Sequence, residues 1–358
     1  MKIARLHTCW VVAVLWALAV LTGPVAAGGE LPAITILATG GTIAGSGESA
    51  VGSAYQSGAV TVDILLEAVP DVNKIARITG EQIAQIGSQE MNNAVWLKLS
   101  GRINALLASD ACDGVVITHG TDTIEETAYF LNLTVHSEKP VVLVGAMRSA
   151  TSMSADGPLN IYNAVAVAAS SQAAGKGVLV VMNDIIHSAR GITKTHTTNA
   201  ATFGSPDFGP LGSVYYGRVS FYRASTRRHT HQSEFNVGRL RALPRVDIVY
   251  GYANNSRTAV DALVADGVQG IVHAGVGNGN PYPDTLEGLA DARKQNIAVV
   301  RSSRCGGGPV TLEAEVDDEA YGFVVADSLN PQKSRVLLML ALTRTTDPEE
   351  IQRMFFEY

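Results

Sequence analysis

Two short apolar runs, each ending in a turn of threonine and glycine, constrain this chain more than any other feature. Ile34-Thr35-Ile36-Leu37-Ala38 leads into Thr39-Gly40-Gly41-Thr42, and Gly114-Val115-Val116-Ile117 leads into Thr118-His119-Gly120-Thr121-Asp122-Thr123. Continuous apolar runs of this length read as strands buried on both faces, the hallmark of a parallel sheet covered by helices. Such sheets present their chemistry beyond the carboxyl ends of the strands. Glycine lets the backbone turn sharply and approach a ligand. Threonine supplies a hydroxyl that becomes a nucleophile only when a neighbour takes its proton. Two such turns predict one site with two working hydroxyls.

The remaining pattern agrees. Helical spacing over Asp63–Val69, Trp96–Leu107, Ile124–Leu133 and Leu159–Ala169 alternates with the apolar runs Pro140–Val144 and Val178–Met182. Residues 222–244 lapse into arginine, histidine and serine and read as a link. Alternation then resumes, with strands at Asp247–Tyr250, Gly270–His273 and Ala298–Arg301, helices at Thr258–Ala265 and Leu286–Lys294, and two closing helices. The expected fold is α/β: a larger N-terminal domain over 31–221, with a mostly parallel sheet flanked by helices, plus a smaller C-terminal α/β domain over 245–358. A chain of 358 residues accommodates two such domains. The polar, glycine-rich stretch Gly45–Gly58 follows the first strand and reads as a mobile lid.

Lys2 and Arg5 precede the apolar run Trp10–Leu21, which is followed by Gly23-Pro24-Val25-Ala26-Ala27. This is the layout of a secretory signal peptide over 1–27, the run falling short of the roughly 20 residues that span a bilayer. Its loss removes Lys2 and Arg5 from 27 basic residues and none of 33 acidic ones, taking the net charge from −6 to −8. A periplasmic or secreted protein with no membrane attachment in its mature form is expected, and the acidic balance argues against nucleic acid. Cys112 and Cys305 remain, and the sequence leaves open a disulfide or two buried free thiols. His229 and His231 lie in an arginine-rich stretch that reads as solvated surface rather than a metal site. Thr39–Thr42 lacks the lysine of a phosphate loop, the next lysine being Lys74. Lys194, among small and hydroxyl residues in Gly191-Ile192-Thr193-Lys194-Thr195, is a candidate proton acceptor.

These segments resemble the signatures of bacterial type II (periplasmic) L-asparaginases. The resemblance rests on Ala38–Ala44, Gly87-Ser88-Gln89-Glu90 and Thr118–Thr123, and on Val144–Arg148, Ser154–Pro158, Gly275–Asn280, Ala314–Asp318 and Leu329–Lys333. It implies a homotetramer that hydrolyses L-asparagine to L-aspartate and ammonia without metal or organic cofactor, its sites shared between subunits. By resemblance, Thr42 attacks the side-chain amide with Tyr55 of the lid as hydrogen-bond partner. Thr121, Asp122 and Lys194 form a second hydroxyl–carboxylate–amine set. Ser88, Gln89 and Asp122 hold the substrate's α-carboxylate and α-amine, and Asn280 and Glu315 reach into a neighbour's site. The chemistry is coherent: an acyl-enzyme divides a difficult hydrolysis, N–H groups of the glycine turns steady the oxyanion, and Thr121–Lys194 protonates the leaving nitrogen.

Taken alone, Tyr55 is an exposed loop aromatic, Ser88-Gln89 a turn, Asn278 and Asn280 turn residues, and Glu313–Glu319 a solvated acidic face. The chain departs from the family pattern at Glu90 (commonly aspartate), Ser149-Ala150 (often proline-bearing), Ser137 (no partner for Cys112) and Cys305–Pro309 just before Glu315. Two rivals remain at this stage: a broader glutaminase-asparaginase, and a periplasmic amino-acid-binding protein without a nucleophile.

Overall fold

The computed structural model describes residues 30–51, 54 and 56–358; the expected signal peptide and Tyr55 lie outside the described residues. The strands are β1 Ala33–Gly40, β2 Arg77–Ile86, β3 Gly114–Thr118, β4 Val141–Val144, β5 Val178–Met182, β6 Ile185–Ser188, β7 Thr193–Lys194, β8 Phe203–Gly204, β9 Gly212–Tyr215 and β10 Arg218–Phe221, then β11 Val246–Tyr250, β12 Gly270–Gly275, β13 Ala298–Ser303 and β14 Val324–Val325. The helices are α1 Val62–Glu67, α2 Asn93–Leu107, α3 Ile124–Thr134, α4 Gly157–Ala168, α5 Thr258–Ala265, α6 Pro283–Lys294, α7 Asp318–Tyr321, α8 Pro331–Ala341 and α9 Pro348–Glu357.

Among the described residues the larger sheet runs β10-β9-β6-β5-β4-β3-β1-β2. Strands β1 to β5 pair in parallel, in the spatial order 2-1-3-4-5 of a doubly wound sheet. The chain leaves β1 in one direction to form β2 and returns to its other side for β3. The crevice at the carboxyl ends of β1 and β3 is therefore the topological switch point, where such sheets bind ligands. The C-terminal domain carries a parallel four-stranded sheet, β11-β12-β13-β14.

Period-two alternation divides the central strands between two cores. Ile36, Ala38, Val116, Val142, Val144, Leu179 and Val181 face α1 and α4. Leu37, Val115, Ile117, Val141, Leu143, Val178 and Val180 face α2 and α3. That second core continues without a break through Val272, Val300 and the buried side of α8 to Phe355 and Tyr358. The C-terminal domain is thus welded to the face behind β3 by apolar burial, at roughly 1.5–3 kcal/mol for each large side chain enclosed.

Several expectations need correction. β2 went unread because, as an edge strand, it is largely exposed and interrupted by Gly80, Glu81 and Gln82. The sheet itself is mostly parallel, as expected, and its last strands β6, β9 and β10 pair antiparallel. His229 is buried, its Nδ1 2.9 Å from Thr230 Oγ1, rather than solvated. Cys112 and Cys305 are both free, and only Cys112 is buried.

Burial lowers the pKa of three histidines to about 4: His119 after β3, His187 in β6 and His273 in β12. In the unfolded chain each titrates near 6.5, so between these values the unfolded state binds more protons. This contribution to stability is complete above about pH 6.5 and is lost as the pH falls toward about 4. The urea midpoint is therefore expected to drop between about pH 7 and pH 4.5, and to drop less in His187→Gln. Identical losses in both proteins would contradict a role for His187.

Candidate active site

β1 and β3 pair in register, Ala38 opposite Thr118, so their threonine turns leave the sheet side by side. Their approach is close. A Cβ placed on Gly41 would lie 2.3 Å from the Cα and N of Gly120, and one on Gly40 would lie 2.4 Å from the Ile86 carbonyl oxygen. Gly40 and Gly41 also have positive φ, 106° and 83° respectively. No side chain is tolerated at this contact, so the double glycine is a steric requirement. It presents Thr42, which opens a short 3-10 turn, and Thr121 as buried hydroxyls at adjacent strand ends. The Gly41 N–H is already used, donating to Ile86 O at 3.0 Å, so it is not an oxyanion donor.

The Ser88 turn is tied to the second threonine turn. Ser88 Oγ accepts from the Asp122 N–H at 3.2 Å, and Thr123 Oγ1 donates to Ser88 O at 2.8 Å. Glu90 reaches back to accept from the Gly87 N–H at 2.8 Å, capping the 3-10 turn Ser88–Glu90. The extra methylene relative to the family's aspartate is accommodated as a cap. Gln89, next to the buried Ser88, is exposed at the same strand end.

Lys194, on the short ribbon of β7 and β8, donates to Thr121 Oγ1 at 3.0 Å and to Asp122 Oδ1 at 2.7 Å. Because the ammonium donates to Thr121 oxygen, the threonine's own proton is free to point toward a substrate. Asp122 is 60% exposed while the lysine is 16% exposed, so one carboxylate both anchors the cation and faces outward. The turn is held from behind by a chain of hydrogen bonds. Trp96 Nε1 donates to Thr127 Oγ1 at 2.8 Å, Thr127 Oγ1 lies 2.8 Å from His119 Nε2, and His119 Nδ1 lies 2.7 Å from Gly120 O. The tryptophan donor and the carbonyl acceptor together assign the ring as the Nδ1–H tautomer.

Asn280 and Glu315 lie at the carboxyl end of the C-terminal sheet, where Asn280 Nδ2 donates to Glu315 Oε2. Their organiser was missed in the sequence. Arg301, wholly buried in β13, makes a two-pronged pair with buried Asp318 at 2.6 Å. It also donates to Asn278 O at 3.0 Å and Thr311 O at 3.2 Å, clamping the two loops that carry Asn280 and Glu315. The signal was an arginine within an apolar strand, and the "acidic face" contains its buried counter-charge. A cavity of about 420 Å³ with walls that include Thr193, Lys194, Asp207, Tyr250, Arg304 and Cys305 lies between the two domains.

The structure thus unites Thr42, Ser88, Gln89, Thr121, Asp122 and Lys194 at one sheet end, and pairs Asn280 with Glu315 at another. Residues 33–227 match the model of the asparaginase N-terminal domain, and residues 245–355 match that of the glutaminase/asparaginase C-terminal domain. The chain belongs to the asparaginase family. It is 54% identical to "Probable L-asparaginase periplasmic" of Haemophilus influenzae, over the full length of both chains. It is 57% identical to "L-asparaginase 2" of Escherichia coli, covering 92% of this chain and 94% of that one. The crystal structure of a "Probable Cytoplasmic L-asparaginase" from Campylobacter jejuni superposes with a TM-score of 0.89 at 50% identity, covering 91% of this chain and 100% of that one.

Gly41→Ala must drive the two turns apart. Its expected effect is a loss of turnover of about 100-fold or more, with a lowered melting temperature. Wild-type turnover in this variant would show that the close contact does not set the site's geometry.

Proposed function

We propose that this protein is an exported L-asparagine amidohydrolase that forms L-aspartate and ammonia through an ester on Thr42. The observation that carries the reading is the pair of hydroxyls on adjacent strand ends, one of them bonded to a lysine–carboxylate pair. Thr42 Oγ attacks the carboxamide carbon, with the Tyr55 hydroxyl as its hydrogen-bond partner. The tetrahedral intermediate collapses as its C–N bond breaks, and the proton given up by Thr42 is made good on the leaving nitrogen by relay through Thr121 and Lys194, so that ammonia departs. Water then attacks the ester, releasing aspartate and restoring the threonine. The substrate's ammonium binds Asp122 and its α-carboxylate binds Ser88 and Gln89, where charge-assisted hydrogen bonds fix the side chain against Thr42.

In this reading, Asn280 and Glu315 complete the site of a neighbouring subunit in a homotetramer, and residues 222–244 link the domains. Export to the periplasm accords with the leader at 1–27 and with the name of the Haemophilus relative. Glutamine is a second substrate in this reading, because one methylene is worth only about 1–3 kcal/mol of discrimination.

Ammonia release from asparagine tests the proposal. Wild type is expected to turn over, while Thr42→Ala and Glu315→Ala are each expected to lose about 100-fold or more. Unfolding and reassembling the two variants together is expected to restore part of the activity, since mixed oligomers regain some intact sites. Binding of asparagine without ammonia release by wild type would instead indicate a binding protein. Failure of the mixture to recover would refute the shared site.

A further inference from the structure

A second lysine, employed in none of the roles above, is buried between the two domains. Lys333 is the third residue of α8 and is 2% exposed. Its ammonium donates to Arg190 O at 3.0 Å and to Ile192 O, and stands 3.5 Å from Glu125 Oε2. Glu125 is itself buried in the first turn of α3 and accepts from Asn330 Nδ2 at 3.2 Å and Gln332 Nε2 at 2.8 Å. Asn330 also caps α8, accepting from the Lys333 N–H at 3.1 Å.

The chain positions give this cluster its meaning. Arg190 and Ile192 precede Lys194 by four and two residues, and Glu125 follows Thr121 by four. Two backbone segments remote in sequence carry the partners of the Thr121–Lys194 hydrogen bond. One buried ammonium grips the first through its carbonyls and the second through Glu125. Burying a charge is costly unless it is paired and hydrogen-bonded, and desolvation lowers the Lys333 pKa to about 8 against the opposing pull of Glu125. Apolar residues would fill this interior space at less electrostatic cost. The arrangement makes sense where geometry, rather than stability, is what it supplies.

We propose that Lys333 is a positioning residue that sets the separation of Lys194 from Thr121 and Asp122. The inference rests on the amidohydrolase reading for its kinetic consequence, but not for its geometric one. Lys333→Met is expected to lower kcat for asparagine by about 10- to 100-fold, with KM changed by less than about threefold. Glu125→Gln, which keeps the shape and one of the two acceptor oxygens, is expected to lower kcat in the same direction by a smaller factor. In a Lys194→Arg background the added loss from Lys333→Met is expected to shrink, because residues acting through one another are not additive. Crystal structures of both variants supply the second measurement. The Lys194 Nζ to Thr121 Oγ1 distance, 3.0 Å here, is expected to open beyond about 3.5 Å, the limit of a hydrogen bond.

A folded Lys333→Met protein with kcat within about twofold of wild type would overturn the proposal, even with a depressed melting temperature. Should Lys333→Met fail to fold, an unchanged kcat and Lys194–Thr121 distance in Glu125→Gln would overturn it equally. A wild-type protein inert toward asparagine would sink the functional reading alone, and the crystallographic distance would still decide the role of Lys333.

Discussion

The site depends on a backbone contact that leaves no room for a single carbon atom. Gly41 and Gly120 approach so closely that a Cβ on Gly41 would lie 2.3 Å from the opposing main chain. Pairing of β1 with β3 delivers the two turns to the same level, and the glycines let them touch. Thr42 and Thr121 then stand on adjacent turns just beyond the carboxyl ends of their strands. Any side chain at the contact would force the hydroxyls apart, and geometry for attack on an amide tolerates little displacement. Such a contact contributes little apolar burial of its own. Its rigidity is borrowed from the two cores above and below the sheet, which enclose every residue of β3 and nearly all of β1.

Buried charges supply the second level of order. Arg301 with Asp318 clamps the loops of Asn280 and Glu315, and Lys333 with Glu125 joins the backbone near Lys194 to the helix after Thr121. In both, a cation spends its spare donors on main-chain carbonyls of loops that bear site residues. Isolated buried pairs add little net stability, because desolvation offsets the attraction. Their value lies in directional bonds that specify where a loop sits, which apolar packing does less sharply.

Much of this was legible in the residues, and the exceptions have physical causes. Strands β1, β3, β4 and β5 are buried on both faces and therefore appear as unbroken apolar runs ending in marked turns. The edge strand β2 needs no such run, and the antiparallel strands β6, β9 and β10 are too short to show periodicity. The two threonine turns stood out through their glycine and hydroxyl chemistry. The partnership of Lys194 with Thr121, 73 positions away, is a consequence of topology, and only family resemblance pointed to it beforehand. Arg301 escaped because it stood at the end of the expected strand Ala298–Arg301, and Lys333 because a lysine in a helix of mixed character ordinarily denotes solvent. Here each has its counter-charge folded in with it.

In the proposed chemistry Thr42, not Thr121, carries the transient ester. Acid-quenching the enzyme during turnover of L-asparagine, followed by mass analysis of its peptides, tests this most directly. An aspartyl adduct is expected on the peptide containing Thr42, absent without substrate and absent from Thr42→Ala. An adduct on Thr121 instead, or continued turnover by Thr42→Ala at the wild-type rate, would contradict it.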